Sequence, residues 1–333
     1  MIPLLQPSID GLRKFLLEKN CFVSWDDPLV EKKIRDYIIS GKLIRGGFIV
    51  HLLDKNNLND ALILGSALEL AQSAFLIQDD IMDHDELRRG KPSLHVQLSG
   101  SSGKGDSGVN LALCISDYLF FQSQEFLASI SDNTLTAKLY FYWSKQLKQV
   151  CVGQYADNYY ASIPIIPSSK SLQTLYKNKT SSYTFCIPIV TSAMFLHLSD
   201  PTIAMLEKIA DDLGVLFQLS DDMLNVYGKS ELSGKPTESD IREKKKTLLL
   251  SHIYEASDVD TQKKLEQYYV RDESNNISDT LLCIHSPKAK QLIQHEVDSM
   301  HTSVKNLLKD VSIPNTFNTI IESLLDFIAT RNV

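Results

Sequence analysis

The sequence predicts an all-α protein, and three observations predict it. Only 14 glycines and 11 prolines occur in 333 residues, about 7.5% where an average soluble protein carries about 12%. Apolar residues recur at helical spacing over several long segments. No series of alternating strands appears between them, and a many-stranded sandwich or barrel would need a turn signal every 8–12 residues or so.

Taken in order, helices are expected at about 8–19 and 29–40, then over 60–83, DALILGSALELAQSAFLIQDDIMD. That segment keeps helical spacing for about six turns, opens on Asp60 as its N-cap and ends in acid. Helices at about 109–130, 133–160 and 171–197 follow, with Pro188 expected to kink the last of them. The run over 200–228 takes Asp200 as N-cap and Pro201 as N1, and stops at Gly228. Stretches near 243–256, 261–271, 288–309 and 316–331 complete the set. Ser99–Gly108, SGSSGKGDSG, holds four of the 14 glycines and reads as a flexible surface loop. It is not a P-loop, because Lys104 is followed by Gly105 and no strand precedes it. Gly65, Gly153 and Gly214 fall inside helices, where close packing explains them. Gly41, Gly46, Gly47, Gly90, Gly228 and Gly234 flank the motifs below, where backbone must turn or approach a ligand closely.

At 43% apolar and 23% charged, the chain can bury a large core, and its length alone suggests about two domains. A net charge of −7 excludes a generally basic nucleic-acid footprint. An anionic ligand must therefore be drawn in by local Lys, Arg or metal. The five cysteines, Cys21, Cys114, Cys151, Cys186 and Cys283, are scattered without metal-ligand spacing and read as small buried hydrophobes in a reducing compartment. The N-terminus lacks the features of a signal peptide. The most apolar segment, Ala61–Ile77, is broken by Glu69 and Gln72 and is too short to span a bilayer. The expectation is a cytoplasmic protein with no integral membrane segment.

Two long helices end in twin aspartates: Asp79, Asp80 and Asp83 in DDIMD, and Asp221, Asp222 and Asn225 in DDMLN. On a helix, residues i and i+4 share a face, so Asp79 and Asp83 can present two carboxylates to one cation. Mg²⁺ is usually held by one or two carboxylates together with waters and phosphate oxygens. With 27 aspartates in the chain, a DDxxD string arises by chance roughly 0.17 times, taking composition as the prior, so one motif alone is weak. Asp26–Asp27 and Asp211–Asp212 carry no third acid and read as a helix cap and a solvated helix face. The other two pairs are each followed by base: Arg88 and Arg89 after Asp83; Lys235, then Asp240 and Lys244–Lys246, after Asp222. Acid for metal and base for phosphate, repeated twice, is the chemistry of a diphosphate site. A triple-Lys run is ordinarily a solvated face; here one of the three is expected to point inward.

From about Lys42 to Thr247 these motifs resemble, in order, those of the trans-isoprenyl diphosphate synthases, or polyprenyl synthetases, of the farnesyl/geranylgeranyl type. Besides the two acidic motifs and Arg88–Gly90, the family's GKxxR element is similar to Gly41, Lys42 and Arg45, its GQxxD to Gly153, Gln154 and Asp157, and its Lys-Thr pair to Lys179 and Thr180. The resemblance implies an isoprenoid-synthase bundle of about ten core helices around a deep central cavity. It also implies a Mg²⁺-dependent prenyltransferase, a homodimer, that joins isopentenyl diphosphate to an allylic diphosphate (dimethylallyl, geranyl or farnesyl) to give a short all-trans product. In the family Asp79, Asp83 and Asp221 would ligate Mg²⁺, three ions per site, with Asp80 and Asp222 in support. Arg88, Lys179, Lys235 and Lys245 would contact the allylic diphosphate, and Lys42, Arg45, Gln72 and Arg89 isopentenyl diphosphate. Thr180 and Gln218 would lie near the developing cation.

Departures are few: Gly46, Gln72, Asn225 for the third acid, which weakens that ligand, and Lys244, where family spacing still favours Lys245. Phe75 and Ala74, four and five positions before Asp79, fall where the growing product should run. Phe75 is a candidate floor, while Ala67, Ala71 and Ala74 either leave room beside it or let two helices pack closely. Farnesyl and geranylgeranyl diphosphate are the expected products. A class I terpene cyclase or a catalytically silent subunit of a prenyl synthase are the alternatives. Because both acidic motifs must serve one site, residues 1–333 are expected to form a single domain, with a motif core over about 41–250 and C-terminal helices over 251–333.

Overall fold

The protein, known here from a computed structural model, is described over residues 3–19, 27–53, 57–99, 107–228, 238–271 and 277–330. A 3₁₀ turn at Pro3–Leu5 leads into α1 (Gln6–Glu18), α2 (Pro28–Ile39), α3 (Ile44–Leu52) and α4 (Leu58–Met82). After a two-strand hairpin, Leu87–Arg88 against Lys91–Pro92, come α5 (Leu94–Ser99), α6 (Ser107–Ala128), α7 (Asn133–Ser162) and α8 (Ser169–Tyr176). A π-helical stretch, Lys177–Cys186, joins α8 to α9 (Ile187–Phe195), and α10 runs over Asp200–Tyr227. Ser239–Arg242, Leu248–Glu255, Val259–Tyr269, Ile277–Ile284, Pro287–Lys309 and Asn315–Thr330 are the remaining helices. The all-α expectation holds.

Local chemistry sets the boundaries. The Asp27 carboxylate accepts the N–H groups of Leu29 and Val30, with Pro28 in the first turn, so α2 starts on a cap as expected. Two expected caps are corrected. Ser199, not Asp200, caps α10 through Thr202 N–H. Asp60 lies inside the first turn of α4, buried, where its carboxylate accepts Ser131 N–H at 3.2 Å and the Ser131 hydroxyl at 2.5 Å. Gly228 ends α10 in extended backbone with φ −77°, so no left-handed cap is required. Upstream of Pro188 lie the ten π-helical residues Lys177–Cys186. The helices at α3, α5 and Ile277–Ile284 were not expected. Of the segment Ser99–Gly108, Ser99 closes α5 and Ser107 opens α6; positions 100–106 lie outside the described residues.

Contacts divide the chain into two compact units, residues 1–144 with 188–198 and residues 145–187 with 199–333. In the first, α4 packs along α6 and across α3. Gly46 and Gly65 make that second crossing possible: a Cβ on Gly46 would stand 2.5 Å from the Gly65 carbonyl oxygen, so these helices meet backbone to backbone. Gly46 and Gly47 are therefore packing glycines within α3, a correction to their expected role in turning chain around a ligand, whereas Gly90, at φ +73°, is a genuine turn glycine. Ala67, Ala71 and Ala74 are buried, and α6 reaches over them to donate Ser123 Oγ–H to Ala67 O and Ser116 Oγ–H to Ala74 O. In the second unit, α10 packs on the π-helical stretch and on Pro287–Lys309. With 25 residues and mean hydropathy 1.4, α4 is long and apolar enough to cross a membrane, a correction to the shorter expected segment, but 78% of its apolar window is buried within the fold. Each unit carries one of the two acidic motifs.

Candidate functional site

In the first unit, the end of α4 delivers the acids. Asp79 is half-buried and Asp83, the residue that terminates the helix, is exposed. Asp80, beside Asp79, is fully buried. One of its oxygens accepts Arg88 Nε–H at 2.5 Å, reinforced by Arg88 Nη2, and the other accepts the Tyr37 hydroxyl at 3.2 Å. Burial pushes the Asp80 carboxyl up, and the Arg88 guanidinium and Tyr37 hydroxyl pull it back. Arg88 also stands 3.4 Å from Asp79 Oδ2 and 3.5 Å from Asp85. Its fork is thus aimed at this acidic face by the Leu87–Pro92 hairpin. Arg89, at φ 56°, turns back to α2, where it donates to Tyr37 O at 3.2 Å and Ser40 Oγ at 3.3 Å.

The GKxxR element follows α2 directly. Leu43, at φ 50°, starts α3 without a capping side chain. The cap comes from another helix: Glu69 of α4, fully buried, accepts Gly46 N–H at 2.8 Å and the Arg45 backbone N–H, in the electrostatic reach of Arg45 and Arg89. Gln72, one turn further along α4, is buried, and its Oε1 has no hydrogen-bond partner among the described residues. A buried amide oxygen without a partner is costly and marks Gln72 as a group that a ligand would satisfy through a donor. Lys42 is exposed and Arg45 half-buried.

In the second unit, α10 and the π-helical stretch supply the residues. Asp222 is buried and accepts the Tyr176 hydroxyl at 2.6 Å and a bond from Gln218. Burial drives its carboxyl well above the usual range, the Asp240 and Asp221 charges add to this, and Tyr176 and Gln218 oppose it. Asp221 beside it is half-buried. Thr180 donates to Gln218 Oε1 at 3.2 Å, and Lys179 Nζ pairs with Asp157 of the GQxxD element at 2.6 Å. Lys179 and Thr180 lie in π-helical geometry, a rare form that is frequent at functional sites.

Asn225 is a correction to the third-ligand reading. It is buried, its Nδ2 donates to Ser239 Oγ at 2.7 Å, and its Oδ1 accepts Asp240 N–H at 3.1 Å, so its amide holds the following acid in place. Of the three lysines, Lys246 donates to the carbonyls of Tyr160 and Ile163 at the end of α7, and Lys244 lies over the Tyr268 ring. Lys245 stands 3.8 Å from Asp240 and 3.0 Å from Glu243. Asp211 and Asp212 are not simply a solvated face. Asp211 accepts the Cys186 thiol at 3.3 Å and Asp212 stands 3.7 Å from Lys177. Lys235 and Gly234 lie outside the described residues. Sequence reasoning missed Tyr37, Tyr176 and Glu69; for Glu69 the signal was a carboxylate in the middle of the most apolar helix.

Comparison with known proteins identifies the family of the chain. The polyprenyl synthetase family model matches residues 27–284. A short chain isoprenyl diphosphate synthase of Methanocaldococcus jannaschii is 31% identical over 76% of this chain and 75% of its own length. A geranylgeranyl diphosphate synthase of Mycobacterium tuberculosis is 27% identical over 63% of this chain and 57% of its own. Among solved structures, a geranylgeranyl pyrophosphate synthase of Corynebacterium glutamicum superposes with a TM-score of 0.85 at 24% identity over 99% of both chains. A farnesyl diphosphate synthase of T. brucei gives 0.79 at 21% identity over 98% of each. These last two establish the fold. The protein is thus an enzyme of the prenyltransferase class. It belongs to the polyprenyl synthetase family.

Proposed function

We propose that this enzyme condenses isopentenyl diphosphate with an allylic diphosphate to make a short-chain all-trans product, farnesyl or geranylgeranyl diphosphate. The observation that carries this reading is the division of labour in each twin-aspartate motif: Asp80 and Asp222 are buried and hydrogen-bonded to protein, while Asp79, Asp83 and Asp221 stay at least partly exposed at the helix ends. The donor set suits Mg²⁺. It is all carboxylate oxygen, and two of the acids lie one turn apart. A cation that keeps waters and shares phosphate oxygens asks for no more. Asp79, Asp83 and Asp221 would hold the metal, three ions by family likeness, and bound Mg²⁺ supplies positive charge opposite the leaving diphosphate.

The chain's own residues do the rest. Arg88, Lys179, Lys245 and Lys235 grip the allylic diphosphate and neutralise it as its bond to carbon breaks. Gln72, Lys42, Arg45 and Arg89 hold isopentenyl diphosphate. Thr180 and Gln218 offer oxygens to the allylic cation, which must be kept from water until the second double bond attacks. Exposed Leu111, Leu113, Phe121 and Phe141 support a homodimer built on α6 and the start of α7. The four described cysteines are all free, which supports action in a reducing compartment such as the cytoplasm. Purified protein incubated with Mg²⁺, labelled isopentenyl diphosphate and C5, C10 or C15 allylic diphosphates should yield chromatographically longer prenyl diphosphates. Absence of metal-dependent incorporation, or a cyclised hydrocarbon made from the allylic substrate alone, would sink the reading.

A further inference from the structure

We infer that Tyr37 and Tyr176 are positioning residues, one for each acidic motif, whose hydroxyls hold the phosphate-gripping segments in register with the twin aspartates; this rests on the diphosphate reading above. The two motifs share a construction. In each, the second aspartate is buried and accepts a hydroxyl from a tyrosine on a different helix: Asp80 from Tyr37 of α2 at 3.2 Å, Asp222 from Tyr176 of α8 at 2.6 Å. A hydrogen bond between buried partners is short-ranged and directional, so it fixes one helix against another more precisely than apolar packing does.

What each tyrosine carries with it gives the pairing its meaning. Tyr37 lies five residues before Lys42 of the GKxxR element, and its own carbonyl receives Arg89. The other oxygen of Asp80 receives Arg88. Thus α2, the end of α4 and the hairpin that carries both arginines converge on one carboxylate. Tyr176 lies three residues before Lys179, on the helix that runs unbroken into the π-helical stretch. Its oxygen also accepts Leu248 N–H at 3.0 Å, and Asp222 is bonded to Gln218, which in turn receives Thr180. The Lys-Thr pair, the glutamine and the second acidic motif are therefore one hydrogen-bonded chain with Tyr176 at its root. Phenylalanine would fill either ring site. Only the hydroxyl makes the connection.

The test uses the full-length protein with Tyr37→Phe and Tyr176→Phe. Calorimetric titration with inorganic pyrophosphate in the presence of Mg²⁺, without turnover, should show affinity weakened about 3- to 10-fold in each variant, the range expected for one hydrogen bond. Steady-state kinetics should split: Tyr37→Phe raises KM for isopentenyl diphosphate more than it lowers kcat, and Tyr176→Phe chiefly lowers kcat. In the Asp80→Asn background, Tyr37→Phe should add little, because its effect passes through Asp80. In the wild type, Mg²⁺ with pyrophosphate should slow hydrogen exchange of the peptides spanning Tyr37–Arg45 and Tyr176–Thr180, a measurement that stands even if a variant fails to fold. Variants with wild-type affinity and kinetics that differ only in melting temperature, full additivity with Asp80→Asn, or unchanged exchange would each overturn the inference. A wild type that binds Mg²⁺-pyrophosphate and turns over beside unaltered phenylalanine variants defeats this inference alone; a wild type that does neither defeats the diphosphate reading as well.

Discussion

Glu69 illustrates what one side chain does when a helix must start without a cap of its own. Leu43 cannot cap α3, so the carboxylate of Glu69 takes the N–H of Gly46 at 2.8 Å and that of Arg45 from the side, at the positive end of the helix. Glu69→Ala should cost about 1–3 kcal/mol, the penalty for buried donors left without a partner, and should raise KM for isopentenyl diphosphate by loosening Arg45. Burial pushes the Glu69 carboxyl up, against the opposing pull of Gly46 and Arg45. The folded state then binds its proton more tightly than the unfolded state, so the wild type loses stability as pH rises from about the ordinary 4.5 through the higher folded value. Glu69→Gln lacks that titration. The melting temperature of Glu69→Gln minus that of the wild type should therefore grow more positive between about pH 4.5 and pH 8, and melts across that range that keep a constant difference would refute the burial assignment.

At the scale of helices, the stripe of Ala67, Ala71 and Ala74 is used for close approach, since α6 spans it with two serine-to-carbonyl bonds. Phe75 faces Phe120 of α6 edge to face, with centroids 4.7 Å apart, which braces it for its proposed place at the floor of the product channel. Phe75→Ala should lengthen the product by one or more five-carbon units, read by chromatography of the hydrolysed prenols; an unchanged chain length removes Phe75 from that role. Trp143 of α7 is almost fully buried and donates Nε1–H to Thr191 Oγ1 of α9 at 2.8 Å. Thr191→Val keeps the shape but strands a buried indole N–H, and should cost about 1–3 kcal/mol, measured by denaturant unfolding. The long helices and the acidic motifs were legible because periodicity and charge spacing are local properties of the chain. The helix α3 was not, because Gly46 and Gly47 read as turn residues when their reason is the neighbouring Gly65 backbone. Tyr37 and Tyr176 were invisible for the same reason: their partners, 43 and 46 residues away, are specified by tertiary packing that no local pattern records.

For the whole molecule, charge bears on how the proposed diphosphate substrates would bind. The chain carries a net −7, and its acidic motifs add negative charge where a diphosphate is proposed to bind, so a bare diphosphate meets repulsion that Arg88, Lys179 and Lys245 only partly offset. Arg88 is itself engaged with Asp80, and Lys179 with Asp157, so these cations are already partly neutralised by protein. On the proposed reading, Mg²⁺ held by Asp79 and Asp83 would reverse the sign of the field there. Pyrophosphate with EDTA should therefore leave the melting temperature almost unchanged, and Mg²⁺ alone should shift it little. The two together should raise it by several degrees, because a ligand at about 100 times its Kd contributes about 2.7 kcal/mol through mass action. Asp79→Ala should abolish that joint shift together with metal-dependent turnover, while retaining the fold. Equal stabilisation by pyrophosphate with and without Mg²⁺ would mean that the basic residues alone bind diphosphate and that the carboxylates serve another purpose.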